Sequence, residues 1–213
     1  MNFLSEDLEK YIDNNSELEP ELLQELTRET HLKVIQPRMI TGHYQGRVLS
    51  LLSKIISPLT ILEIGTYTGY SALCLAEGLN PNGCLHTIDV NEELHDIQRK
   101  YFDRSSYGDS IIQHTGNAIE IIPKISEVFD LVFIDAEKKS YDAYFEVVMT
   151  KVKPGSIILS DNVLWSGKVV EPLKRSDKAT EALLKYNQKL KDDPRIETVI
   201  LPVRDGLTLS RVL

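Results

Sequence analysis

The chain predicts one α/β domain: an open, mostly parallel sheet of seven strands, covered by helices on both faces and preceded by further helices. Three observations predict it. From Leu59 onward, short apolar runs alternate with amphipathic stretches of helical period, the pattern of a parallel sheet. The run Leu59, Ile61, Leu62, Ile64 ends in Glu63-Ile64-Gly65 and Gly69, and a helical pattern (Tyr70, Leu73, Leu75, Ala76, Leu79) begins at once, as in a strand–turn–helix unit. Near the end, two strand-like runs flank Asp205-Gly206, a hairpin signal that makes the last strand antiparallel to its neighbour.

The elements follow in order. Helical patterns cover about Ser5–Asn14, Pro20–His31 (Leu22, Leu23, Leu26 on one face) and His43–Ser57 (Val48, Leu49, Leu51, Leu52, Ile55, Ile56). Residues 1–57 therefore form an N-terminal helical extension, and residues 58–213 the core. After the strand ending at Ile64 come a strand at Leu85–Ile88, a helix over Glu92–Asp103 and a strand at Ser110–His114. A helix at Ala118–Ile125 leads to the strand Asp130–Ile134. A helix over Ser140–Lys151 precedes the strand Ser156–Leu159. The last helix covers Asp177–Asp192, and the closing strands are Thr198–Pro202 and Thr208–Val212.

Composition sets outer limits. A chain of 213 residues can bury one substantial core. Its 42% hydrophobic and 26% charged residues are ordinary for a globular protein. The formal net charge of −8 disfavours nucleic acid or an anionic membrane held by bulk electrostatics. Cys74 and Cys84 read as small buried residues, without metal-ligand spacing or a disulfide framework. The N-terminus is acidic and has no basic region followed by an apolar run, so no signal peptide is expected. No apolar stretch approaches the roughly 18 residues of a membrane span. The expected location is the cytoplasm.

In an open parallel sheet, ligands bind beyond the carboxyl ends of the strands. Here those positions carry Glu63-Ile64-Gly65, then Asp89, Gly116-Asn117-Ala118, Asp135-Ala136-Glu137-Lys138 and Asp161-Asn162. The turn after the first strand offers backbone N–H groups, and its glycines admit a ligand closely. Asp89, at the end of the second strand, stands where ribose hydroxyls are held. The spacing Gly65-x-x-x-Gly69 lacks the middle glycine of a dinucleotide loop. It better suits a nucleoside without phosphate, such as S-adenosylmethionine. If the strands before Asp135 and Asp161 are neighbours, these residues lie roughly 5 Å apart. Asp135, Asp161 and Asn162 then either share a hard cation, Mg²⁺, Mn²⁺ or Ca²⁺, or cap a helix and shape a turn. Lys138 is either a catalytic base or a solvated lysine, and Trp165 either lines a substrate mouth or fills a core. His31, Arg38 and His43 read as surface residues, and Lys168, Lys174, Arg175 and Lys178 as a solvated basic loop.

Together these residues resemble the cation-dependent S-adenosylmethionine O-methyltransferases, the catechol and caffeoyl-coenzyme A O-methyltransferase relatives with their small bacterial members. The marks are Leu62–Ser71, Thr87-Ile88-Asp89, Gly116-Asn117-Ala118, Phe129–Lys138, Asp161-Asn162-Val163-Leu164-Trp165 and Asp205-Gly206-Leu207-Thr208. The likeness runs from about Met39 to the C-terminus. It implies a Rossmann-like sheet of order 3-2-1-4-5-7-6 and a homodimer. It implies that Thr41 and the loop Glu63, Gly65, Thr66 to Ser71 surround the methionine end of the cofactor. Asp89 holds its ribose, Ala118 meets its adenine, and Asp135 and Glu137 lie near it; relatives often have Asp where Glu137 stands. Asp135, Asp161 and Asn162 bind the metal, and Trp165 and Ser166 meet the substrate, an aromatic with adjacent hydroxyls; in the mechanism expected on this likeness Lys138, beside Asp135, takes the proton, or else solvent does.

Two departures bear on the substrate. Gly42-His43 replaces a common Ser-Pro, and Ser166-Gly167 stands where plant enzymes have an asparagine-like contact. The expected acceptor is therefore a catechol-like small molecule rather than a specific plant substrate. The alternatives are methylation of a hydroxylated tRNA uridine, a nicotinamide-dependent oxidoreductase and a non-catalytic cofactor-binding module.

Overall fold

A computed structural model describes residues 5–213. Residues 1–4, part of the acidic stretch read above as no signal peptide, lie outside the described residues. The helices are α1 (Glu6–Asn14), α2 (Glu21–Lys33), α3 (His43–Ile56), α4 (Tyr70–Ala76), α5 (His95–Arg104), α6 (Ala118–Ile121), α7 (Tyr141–Met149) and α8 (Lys178–Asp192). The strands are β1 (Thr60–Ile64), β2 (Cys84–Asp89), β3 (Ile111–Thr115), β4 (Phe129–Ile134), β5 (Val152–Asp161), β6 (Ile196–Leu201) and β7 (Leu207–Val212). They form one seven-stranded sheet of order β3-β2-β1-β4-β5-β7-β6. The expected order and the antiparallel last strand are both found, since β7 runs antiparallel to β5 and β6. The chain divides into two compact units at Asn117/Ala118. No helix among the described residues is long and apolar enough to cross a membrane.

In the first unit, Ser5 caps α1 by accepting the Leu8 N–H at 3.4 Å. The face that α3 buries differs from the expected one. Leu51 and Ile55 are exposed, whereas Gln45, Gly46, Arg47, Leu49, Ser50 and Ser53 are buried. The reason is close packing on α4. A Cβ on Gly46 would lie 2.6 Å from the Tyr70 ring, and the Ser53 hydroxyl donates to the Leu75 carbonyl at 2.6 Å. The Arg47 guanidinium donates to Glu77 at 2.7 and 3.1 Å, joined there by Ser50 and Lys54, each at 2.7 Å. Burial opposes the charge on Glu77, but these donors win and hold its carboxyl at about 2. The expected extension of α4 to Leu79 is not found; the helix ends at Ala76, and the Asn80 N–H bonds back to the Pro58 carbonyl at 2.9 Å.

In the second unit, Leu131, Val132, Phe133 and Ile134 of β4 are fully buried, as befits an interior parallel strand. Its register with β5 pairs Ile134 with Ser160, so Asp135, just past β4, and Asp161, the last residue of β5, stand at adjacent strand ends. Strand β5 starts four residues earlier than the apolar run Ser156–Leu159, because Val152 pairs with Phe129 before a register shift. Helix α8 starts as expected, with Asp177 accepting the Thr180 N–H at 3.0 Å. Tyr186 of α8 meets Tyr141 and Phe145 edge-on, at 5.3 and 6.2 Å between centroids. Trp165–Val170, a loop by sequence, forms a kinked 3₁₀ segment.

Candidate functional site

The first unit gathers Glu63, Thr66 and Asp89 at the carboxyl ends of β1 and β2. Register places Thr87 opposite Glu63. The Thr87 hydroxyl donates to Glu63 Oε2 at 2.5 Å and lies 2.5 Å from the Thr66 hydroxyl. Glu63 is fully buried. The turn depends on backbone freedom at its ends. Gly65 has φ 100° and Gly69 has φ 92°. A Cβ on Gly69 would lie 2.6 Å from the Phe102 ring. Between them the Tyr67 N–H donates to Asp89 Oδ2 at 2.8 Å, and the Asn91 N–H donates to Oδ1 at 2.9 Å. Both oxygens are thus fixed, and each keeps acceptor capacity for a ligand hydroxyl. Gln98 steadies the turn by donating to the Tyr67 carbonyl at 2.6 Å. Ser71 is buried in the first turn of α4, and Thr41 is buried just ahead of α3.

The second unit gathers Asp135, Lys138, Asp161 and Asn162. Lys138, on the 3₁₀ turn Lys138–Ser140, is buried, and its ammonium donates to Asp135 Oδ1 at 3.0 Å and to the Tyr141 hydroxyl at 2.7 Å. Asp161 is buried, and its Oδ1 accepts the Asn162 N–H at 2.7 Å. Asn162 is left-handed, with φ 57°. Trp165 and Ser166 follow at φ 48° and 53°. Three such non-glycine residues within five positions mark stored backbone strain, which concentrates at functional sites. The Trp165 indole N–H is buried without a hydrogen-bond partner among the described residues. Lys168 lies over that ring, 5.7 Å from its centroid.

This loop is held from the β6–β7 hairpin. The Asp205 carboxylate accepts the Ser166 N–H, and the Asp205 carbonyl accepts the Leu164 N–H at 2.9 Å. Ala118 is the buried first residue of α6. Glu137, by contrast, is turned to solvent, accepting from the Ser140 hydroxyl at 3.1 Å and lying 3.7 Å from Lys139. Of the other residues weighed in sequence, Cys74 is buried and Cys84 half-buried. His31 bonds its own helix at the Thr27 carbonyl, and His43 lies 2.6 Å from the Glu17 carbonyl.

Sequence reasoning marked Thr87 and Asp205 without giving either a role at the site, and it passed over Tyr141. Thr87 had a usable signal, since it shares a sheet face with Asp89 two residues on. Chemically, the first unit presents fixed acceptors for hydroxyl or amine donors. The second presents two carboxylates and an amide beside an ammonium. That oxygen-only donor set fits a hard divalent cation, which would relieve the repulsion between two adjacent acids.

Comparison with known proteins adds the family context. Residues 13–213 match a family model described as O-methyltransferase. A caffeoyl-CoA O-methyltransferase of Petroselinum crispum is 35% identical over 204 residues, covering 91% of this chain and 84% of that one. Among solved structures, an O-methyltransferase from Bacillus cereus in complex with SAH superposes with a TM-score of 0.90 at 28% identity, covering 97% of each chain. The O-methyltransferase TomG from Streptomyces achromogenes, in complex with SAM, gives 0.89 at 27% identity over 97% of this chain and 96% of that one.

Proposed function

The chain belongs to the O-methyltransferase family as an S-adenosylmethionine-dependent enzyme, and from that premise we propose that its acceptor is a catechol-like aromatic and its reaction cation-dependent. The observation that carries the metal reading is the pairing of Ile134 with Ser160, which sets Asp135 and Asp161 at adjacent strand ends with Lys138 beside them. Asp135, Asp161 and Asn162 would hold the ion. When bound there, it would supply the positive charge that lowers the pKa of a hydroxyl of the acceptor.

The side chains divide the remaining work. Glu63, Thr66, Asp89 and the turn through Gly65 and Ser71 bind the methyl donor, with Thr41, Ala118 and Glu137 as further contacts. Lys138, or else solvent, takes the hydroxyl proton. The oxygen attacks the methyl carbon in line, the carbon–sulfur bond breaks, and its electron pair leaves on sulfur as a neutral thioether. Little covalent chemistry falls to the protein, so positioning carries most of the rate. Trp165 and Ser166 face the acceptor. The active form in this reading is a homodimer, which light scattering would test.

The test is methyl release from S-adenosylmethionine with Mg²⁺ and a panel of vicinal dihydroxy aromatics, with tRNA as a separate acceptor. Expected are turnover with a diol, loss of it with excess chelator, and its abolition in Asp161→Ala with donor affinity preserved. Turnover that survives both chelator and D161A would defeat the metal reading. Turnover of tRNA alone would defeat the small-molecule reading, which the net charge of −8 favours.

A further inference from the structure

Tyr141 opens α7 and has no exposed surface, yet its hydroxyl sits among groups from three segments. The Lys138 ammonium donates to it at 2.7 Å. Its own proton points to the Asp161 carbonyl at 2.9 Å, with the Ile134 carbonyl as second acceptor at 3.2 Å. Those carbonyls belong to the last residue of β5 and to the last residue of β4, directly before Asp135. One oxygen therefore ties together both acid-bearing strand ends and the lysine between them. The Lys138 Nζ also lies 4.8 Å from the centroid of the Tyr141 ring.

We propose that Tyr141 is a positioning residue: its hydroxyl fixes the spacing between the Asp135 and Asp161 ends and holds Lys138 aimed at the acceptor. The proposal rests on the metal-dependent reading above. A hydroxyl with one proton and two lone pairs suits this junction, because it accepts from the ammonium while donating to a carbonyl. Removing it leaves Lys138 with one acceptor fewer and two buried carbonyls without their shared donor. Partners one step behind metal ligands typically change metal affinity or activity by about 10–100-fold when lost.

The experiment compares Y141F with Y186F. Tyr186 is a similarly buried tyrosine against the Tyr141 ring, but among the described residues its hydroxyl bonds the Ser160 side chain, at 2.7 Å, and neither acid-bearing strand-end carbonyl. Mn²⁺ affinity is measured by electron paramagnetic resonance, S-adenosylmethionine affinity by calorimetry, and kcat and KM with the best diol. Y141F is expected to weaken Mn²⁺ binding and lower kcat by about 10–100-fold, with donor affinity unchanged; Y186F should leave all of them at wild-type values. In a K138M background the Y141F effect on kcat should shrink, because the two side chains act as a unit. Mn²⁺ affinity and kcat that are equal in Y141F and wild type, or lowered alike in both tyrosine variants, overturn the positioning role alone. Wild-type protein that takes up no Mn²⁺ overturns the metal reading beneath it.

Discussion

Around β1 and β2, neutral donors reach both acids: Glu63 accepts from a threonine hydroxyl and Asp89 from two backbone N–H groups. Around β4 and β5, Asp135 meets a lysine, and the backbone beyond Asp161 turns left-handed at Asn162, Trp165 and Ser166. Neutral donors fix a carboxylate without cancelling its charge, so the first cluster presents preformed acceptors to a hydroxyl-bearing ligand. An ammonium cancels charge and can give up its proton, so the second cluster suits ions and proton transfer. On the proposed reading, the difference teaches how holding the donor is kept apart from activating the acceptor. A fifth acid, Glu77, belongs to neither: two cations and a serine hold it against α3, where it serves packing.

The largest effect expected from this contrast lies at Lys138. Replacing it with Met should lower kcat by about 10²–10⁴-fold, the usual span for a lost general base, and leave donor affinity intact. Equal loss of affinity would erase the division between the clusters. Next is Asp89→Ala, which removes a charged acceptor and should weaken S-adenosylmethionine binding by roughly 1.5–3 kcal/mol, about 10–100-fold. Calorimetry reads this directly, and kcat at saturating donor should hold near wild type. The smallest concerns Glu77. Its carboxyl sits at about 2 in the folded chain against an ordinary 4.5. The stability its charge contributes is therefore complete above pH 4.5 and drains away as pH falls toward 2. Glu77→Gln should cost about 1–3 kcal/mol at neutral pH, with the gap to wild type closing across that acid window in thermal melts. A gap that stayed constant down to pH 2 would show that Glu77 acts by shape and not by charge.

Much of this was legible in the sequence. The unbroken run Leu131–Ile134 announces a strand buried on both faces, and the glycines at 65 and 69 announce a turn that others cannot make. Asp135, Asp161 and Asn162 were readable because a parallel sheet sends every strand end to one rim. What escaped depends on partners distant in the chain. The apolar residues of α3 suggest one buried face, but Arg47 and Ser50 go inward because Glu77, across the helix pair, satisfies them. Nothing local to Tyr141 says that its hydroxyl reaches the end of β5. Asp205-Gly206 reads as a hairpin turn, and local pattern cannot reveal that its carboxylate holds a backbone N–H 39 positions earlier.

That last bond bears on engineering. Asp205 grips the 164–166 stretch through main-chain N–H groups alone, and Gly206 leaves room for Leu164, whose Cγ would lie 2.4 Å from any added Cβ. The main-chain bonds under Trp165 and Ser166 therefore do not use those two side chains, although the left-handed φ at both positions disfavours β-branched replacements. Libraries that diversify 165 and 166 while sparing 205 and 206 would vary the recognition surface on a constant frame.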